Sequence, residues 1–320
     1  MKTSTLIGRS RELAALTHLT RRPEPTLILV YGRRRVGKTR LLQDWAHATG
    51  LPVFYWESPR ETVENVRSSL VREFWRWHYG DVGAQLPRFS DWAELFRHMR
   101  QQIGDREVIW IFDEFPWAVE SDEALPSYLK TAWDQLFSKS RVRLFLTGSH
   151  ISAMEKLLES DAPLFGRLTG KLHVRPLAFT QIEPFMPLYS LEKRMAVWGI
   201  VGGIPDYLRV WDDSQDLLTN IHEVFISDLS PFRNEKTILV SDVLRRDSSD
   251  YESVLNAVAS GHHDLESIAL TAALNAQRAA QVLDKLTEVR LVERRIRASV
   301  PVAQHGVARH AHYHLFDSFL

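Results

Sequence analysis

The sequence predicts an α/β fold: a parallel-sheet core, then a small all-α domain, then a winged-helix domain. Three observations carry this. Short apolar runs alternate with helix-spaced segments through the first half, the pattern of parallel strands joined by crossover helices. From about Leu177 onward, helical spacing with polar punctuation takes over. Near the end, three short helix-like stretches precede an alternating strand, the plan of three helices and a β-ribbon. The expected domains are residues 1–176, 177–246 and 247–320.

The first strand is Thr26-Leu27-Ile28-Leu29-Val30-Tyr31, short, apolar and bounded by Pro25. Gly32-Arg33-Arg34-Arg35-Val36-Gly37-Lys38-Thr39 follows directly, and then Leu41, Leu42, Trp45 and Ala46 recur at helical spacing. Pro52 to Trp56 is a second strand candidate. Asp91-Trp92-Ala93-Glu94 has capping-box spacing and opens a helix with Trp92, Leu95, Phe96 and Met99 on one face. Val108 to Phe112 is a continuous apolar run ending in Asp113-Glu114, and Val142 to Thr147 is another, ending in Gly148-Ser149. A last short strand is expected over Leu172-His173-Val174. Pro176, Pro184 and Pro187 then break the chain, and Gly202-Gly203-Ile204-Pro205 interrupts the helical region. Asp247-Ser248-Ser249-Asp250 reads as a solvated turn. Helices are expected over Tyr251 to Ala259, Asp264 to Leu270 and Asn275 to Thr287, and a strand over Leu291 to Ile296.

Composition narrows the function classes. The 320 residues hold 40 basic and 40 acidic side chains, so net charge gives no general case for nucleic acid or an anionic membrane. With no cysteine, disulfides, thiolate metal sites and cysteine nucleophiles are excluded. The N-terminal apolar stretch is too short for a signal peptide and no run is long enough to span a bilayer, so a cytoplasmic protein with no membrane partner is expected. The 10 tryptophans are scattered among apolar neighbours, as core anchors are.

Strand, glycine loop and helix in the spacing G-x-x-x-x-G-K-T make a phosphate-binding loop. Gly32 and Gly37 let successive N–H groups turn inward, and the new helix adds its positive end. Lys38 would reach the β- and γ-phosphates of ATP, and Thr39 would ligate Mg²⁺. Gly32, Arg35, Val36, Gly37, Lys38, Thr39 and Arg40 are the expected contact stretch. The carboxylates after the apolar strand would emerge beside the phosphates, because strand C-termini line the ligand crevice of a parallel sheet. Asp113 would hold Mg²⁺ through water, and Glu114 would orient and deprotonate the attacking water. Thr147 and Ser149 could sense the γ-phosphate, or serve only as turn residues. Arg167, after a proline-containing loop, could reach a γ-phosphate in its own subunit or a neighbour's, or be a surface charge. His310, His312 and His314 alternate, so a strand would set them on one face, open either to a metal or to solvent. Between Thr271 and Arg309 seven arginines and lysines face three acids, a patch suited to DNA or to packing on the core.

Taken together, the chain resembles the archaeal-type P-loop ATPases of the STAND class, signal-transducing ATPases with numerous domains and relatives of the AAA+ proteins. Leu6-Ile7-Gly8-Arg9-Ser10-Arg11-Glu12 is similar to the N-terminal motif that lies near the adenine in that class. Ser10 departs from it where an acidic residue is usual. The triple arginine of the loop and Phe112-Asp113-Glu114-Phe115-Pro116, a Walker B segment, also match. Gly202 to Pro205 looks like the Gly-x-Pro signature whose proline packs on the nucleotide. Thr147-Gly148-Ser149 and Pro163 to Arg167 are similar to the sensor strand and arginine loop, although His150 stands where a small polar residue is usual.

The resemblance implies an ATP-hydrolysing molecular switch with nucleotide between core and helical domain, contacted by Gly8, Arg9 and Pro205. The C-terminal winged helix also fits the class; self-association on ATP binding is left open, since Arg167 would need a neighbour only if it acts in trans. The alternative is an ATP-responsive DNA-binding regulator with little hydrolysis. A degenerate scaffold is argued against by the presence of both Asp113 and Glu114. Relatives commonly continue into a nuclease-like domain. A chain ending at Leu320 is expected to be a short or truncated form without that activity.

Overall fold

A computed structural model describes residues 6–80, 86–230, 232–235, 248–296, 298–300 and 311–316. The chain divides into two compact units, Met1–Pro176 and Leu177–Leu320. Among the described residues no helix is long and apolar enough to cross a membrane.

The first unit is a five-stranded parallel sheet with helices on both faces. Its strands are β1 (Thr26–Tyr31), β2 (Val53–Glu57), β3 (Val108–Asp113), β4 (Val142–Gly148) and β5 (Gly170–His173), in the order β2-β3-β4-β1-β5. Every residue of β1 and β3 is buried, which is why these strands read as unbroken apolar runs. Alternation still decides what each side chain meets. Leu27, Leu29 and Tyr31 of β1 join one core, whereas Ile28 and Val30 join the other. The second of these is covered by α1 (Ser10–Leu19) through Leu16 and by α2 (Lys38–Thr49) through Leu41, Leu42, Trp45 and Ala46. The first is covered by α3 (Val63–Tyr79), α4 (Trp92–Ile103), α5 (Phe115–Ser121), α6 (Leu125–Gln135) and α7 (Ile151–Lys156).

Register aligns the strand ends. Tyr31 pairs with Gly148, Phe112 with Leu146, and Glu57 with Asp113, so the segments leaving β1, β2, β3 and β4 share one edge. Strand β5 begins at Gly170, earlier than its apolar residues suggest, because backbone pairing with Ile28 requires no apolar side chain. Val174 lies past its end but still donates its N–H to the Tyr31 carbonyl at 2.7 Å.

The cap of α4 is half of the expected box. Asp91 accepts from the Glu94 N–H at 2.8 Å, but the Glu94 carboxylate reaches one residue further back, to the Ser90 N–H (2.9 Å) and hydroxyl (3.0 Å).

Among the described residues, the second unit is helical except for one ribbon. A first apolar cluster gathers Tyr189, Val197, Val201, Ile204, Tyr207 and Leu208, from α8 (Leu191–Val201), α9 (Pro205–Arg209) and neighbouring turns. Helix α10 (Leu217–Ile221) follows. A second cluster unites α11 (Ser248–Ala259), α12 (Leu265–Thr271) and α13 (Ala276–Glu288) with β6 (Val292–Ile296) and β7 (Ala311–Leu315), an antiparallel pair. The expected solvated turn at Asp247–Asp250 is corrected here. Ser248 begins α11 and Asp250 lies in its first turn, where an acidic side chain favours the helix dipole; Asp247 lies outside the described residues. Asp250 also holds Arg278 of α13 at 2.6 Å.

Replacing Asp91 by alanine should lower stability by about 1 kcal/mol, the usual loss of an N-cap, read as a lower urea midpoint by tryptophan fluorescence. An unchanged midpoint would mean that Glu94 and Ser90 hold the cap alone.

Candidate active site

The loop between β1 and α2 is shaped by close backbone approaches. A Cβ at Gly32 would overlap the Val174 carbonyl oxygen, so only glycine lets β1 turn there beside the chain leaving β5. Gly37 at φ 91° and Arg35 at φ 63° complete the curl in left-handed conformations. Backbone of this kind turns N–H groups inward beside the positive end of α2. Lys38 is the first residue of α2, and its buried Nζ donates to the carbonyls of Gly32 (2.9 Å) and Arg33 (3.3 Å). Burial pushes its proton affinity below that of an ordinary lysine, while the charges of Glu114 and Asp113 oppose the shift. A buried ammonium held by loop carbonyls is a cation ready for anionic oxygens.

Asp113 ends β3 beside this lysine's neighbour. It is 3% exposed, and three donors meet its carboxylate. The Thr39 hydroxyl reaches Oδ2 at 2.6 Å, the Tyr55 phenol reaches the same oxygen at 2.9 Å, and the Glu114 N–H reaches Oδ1 at 3.0 Å. A hydroxyl and a carboxylate, all oxygen, suit a hard cation such as Mg²⁺, and donation by Thr39 leaves its lone pairs for one. Burial first, then the Asp113 charge, pushes the Tyr55 phenol far up, so it stays a donor. Glu57, paired in register with Asp113, adds another carboxyl, pushed up by burial and then by the charges of Asp113 and Glu114.

Glu114 sits at φ 47°, in the left-handed region that costs a non-glycine residue roughly 1–2 kcal/mol. That kink separates β3 from α5 and turns the Glu114 side chain toward the end of β4. There Ser149 donates to Oε2 from its N–H (3.1 Å) and its hydroxyl (2.9 Å). The approach is tight, for a Cβ on Gly148 would lie 2.6 Å from Pro116 Cδ. Thr147, fully buried on β4, has a hydroxyl without a partner among the described residues.

Arg9 is 3% exposed and acts on the loop from behind. Its guanidinium donates to the Val36 carbonyl (2.8 Å), the Arg175 carbonyl (2.8 Å) and the Glu12 carboxylate (2.6 Å). It ties the N-terminal turn, the glycine loop and the end of β5 together.

Residues 6–210 match the family described as an ATPase domain predominantly from Archaea. The chain belongs to that ATPase family. It is also similar to an uncharacterised protein of Methanocaldococcus jannaschii, 25% identical over 98% of this chain and 67% of the relative. In fold it is similar to a Walker-type ATPase of Pyrococcus abyssi, with TM-score 0.66, 18% identity, and coverage of 99% of this chain and 95% of that one. The ORC2 protein of Aeropyrum pernix, solved as ADPNP and ADP complexes, gives TM-score 0.61 and 14% identity over 99% and 93% of the two chains. The five-stranded parallel sheet is the core of a P-loop ATPase.

The ATPase thus brings Gly32, Arg35, Val36, Gly37, Lys38, Thr39, Asp113, Glu114, Thr147 and Ser149 to one edge of its sheet. Gly8, at φ 70°, leads the turn into α1. The Arg40 side chain pairs with Asp44 at 2.7 Å along the outer side of α2, so only its backbone belongs to the helix start. Arg167 is not brought to the loop. It forms a two-pronged pair with Asp134 of α6 (3.2 and 3.1 Å). Nearby, Thr169 donates to the Leu27 carbonyl at 2.8 Å, so Arg167 lies at the N-terminal edge of β1. About 16 Å of strand separates that edge from Gly32. Pro205 opens α9 in the second unit. His310 lies outside the described residues; His312 and His314 are on β7, where His314 stacks on His263 at 4.2 Å.

Sequence reasoning missed Tyr55, since a tyrosine within an apolar strand carries no signal of what its hydroxyl meets. Arg9 was expected at the adenine, and its bond to the Val36 carbonyl had no pattern to announce it.

Arg9→Ala would leave Glu12 and two carbonyls without their donor. It should cost about 3 kcal/mol in urea unfolding, as removing half of a buried ion pair does. An unchanged unfolding free energy would show that the loop is held without it.

Proposed function

We propose that this protein is an ATP-hydrolysing switch of the STAND type. Its nucleotide is held between an ATPase core (residues 1–176) and a helical domain (177–246), with a winged helix (247–320) beyond. The observation that carries the hydrolytic part is the meeting of Lys38, Thr39, Asp113, Glu114 and Ser149 at one sheet edge. A loop built only to bind phosphate needs no second carboxylate beside Asp113, and Glu114 supplies one.

In this reading phosphate oxygens replace the Gly32 and Arg33 carbonyls as acceptors for Lys38, and the N–H groups of the loop cradle the rest. Thr39 and Asp113 would hold Mg²⁺, which supplies charge neutralisation across the phosphates when bound. Ser149 keeps Glu114 Oε2 occupied until substrate draws the serine away. The freed carboxylate takes a proton from water as the water oxygen bonds to the γ-phosphorus and the bond to the ADP oxygen breaks. Gly8 on one side and Pro205 on the other would contact the nucleotide, with Arg9 acting through the loop that it holds at the Val36 carbonyl, so ATP would set the interdomain angle and hydrolysis would release it. Such a switch needs the two interdomain states to differ in ATP affinity.

The position of Arg167 at the opposite sheet edge favours action on a neighbour's γ-phosphate, with self-association on ATP binding. DNA recognition through the winged helix is less supported. Of its basic groups, Arg278 pairs with Asp250, Lys285 with Glu288 and Arg295 with Glu293, which lowers the charge left for phosphates.

Glu114→Gln should keep ATP bound while phosphate release falls at least about a hundredfold, as loss of a general base does. Size-exclusion chromatography of that variant should show a larger species with ATP than without. Turnover like that of the parent would remove Glu114 as the base, and an ATP-independent elution volume would remove the assembly. Lys38→Ala should abolish tight ATP binding in a filter assay, and undiminished affinity would count against the whole site.

A further inference from the structure

We propose that Tyr55 is a positioning residue for the Mg²⁺-holding carboxylate, orienting Asp113 from the edge strand. This rests on the reading of Thr39 and Asp113 as the cation site.

The geometry has three parts. Tyr55 lies near the end of β2, in register with Ile111 of β3, and its phenol extends past that pair to Asp113 Oδ2 at 2.9 Å. The same oxygen accepts from Thr39 Oγ1 at 2.6 Å, and Oδ1 accepts from the Glu114 N–H at 3.0 Å. Donors therefore fix both oxygens. Without Tyr55, Thr39 is the one donor to Oδ2 among the described residues, the very hydroxyl whose lone pair the cation needs. A donor independent of the loop holds the carboxylate plane while Thr39 serves the metal. Partners of this kind, one step behind the ligands, orient them and tune affinity.

Tyr55 is half-buried and its ring also lines an open groove with Arg40, Asp44, His47, Leu51 and Val53. Loss of one hydroxyl there leaves the apolar cores intact. The position is also on a different strand from every residue of the glycine loop, so its removal need not disturb phosphate binding. A tyrosine serving only to fill space would be replaced by phenylalanine without consequence for the cation.

The test is the Mg²⁺ dependence of nucleotide binding, read by fluorescence of a methylanthraniloyl-ATP probe with the full chain. The parent, Tyr55→Phe, Asp113→Ala and the double variant are each titrated in EDTA and then with rising Mg²⁺. Tyr55→Phe should bind the probe in EDTA as the parent does, yet need about tenfold more Mg²⁺ to tighten it, the usual scale for such partners. In the Asp113→Ala background the same substitution should add no further shift. An unchanged Mg²⁺ requirement in Tyr55→Phe would overturn the proposal. So would an equal shift with and without Asp113, because Tyr55 would then act elsewhere. If Tyr55→Phe binds the probe less tightly in EDTA by the whole of its defect, the residue shapes the fold and not the cation site. A parent that binds the probe without any response to Mg²⁺ would instead remove the cation site itself, a failure recognisable before any variant is compared.

Discussion

The hydrogen bond from Thr39 to Asp113 joins the two halves of the site, and much of the first unit is arranged around it. Thr39 stands in the first turn of α2, one residue beyond Lys38, and Asp113 is the last residue of β3. Strand β4 separates β3 from β1 in the sheet. The bond therefore spans the strand between them, at the edge where all three end. A buried carboxylate is costly unless donors surround it. Asp113 meets that requirement with one donor from the loop, one from the edge strand and one from the next residue. Its position consequently reports the placement of three separate elements.

Among the described residues of the first unit, the backbone strain of non-glycine residues falls at the same edge. Arg35 and Glu114 are both non-glycine residues at positive φ, and Gly32 and Gly148 stand where a Cβ would collide with the Val174 carbonyl and Pro116. Such features persist only where the surroundings over-determine them. Here the surroundings are a fully buried β1 and β3, the Arg9 bonds to the Val36 and Arg175 carbonyls, and the Ser149 bonds to Glu114. Rigid strands thus place a lysine, a hydroxyl and two carboxylates within reach of one another. The Glu114 carboxylate, held among the described residues by Ser149, is the member most easily released.

The strands were legible because buried parallel strands are continuous apolar runs, and the glycine loop because its spacing reflects backbone need. The acidic pair could be placed beside the loop from topology alone, since strand C-termini share an edge. What escaped has a common cause. The bonds of Arg9 and Tyr55 link residues far apart in sequence, |i−j| of 27 and 58, and depend on side-chain reach that no local pattern encodes. Arg167 shows a complementary case. Its place after a proline loop suggested chemistry, yet only register reveals that it sits at the other end of β1, engaged with Asp134. Ser248 to Asp250 were misplaced because serine and aspartate favour both turns and helix starts, and the choice is made by packing.

On the proposed function this sheet edge holds a polyphosphate, with the loop N–H groups and Lys38 engaging more than one phosphate group. Isothermal titration calorimetry with ATP, ADP and AMP tests it most directly. ATP and ADP should bind, and AMP should bind at least about a hundredfold more weakly, because it lacks the groups that Lys38 and the loop would engage. Equal affinity for AMP would contradict it.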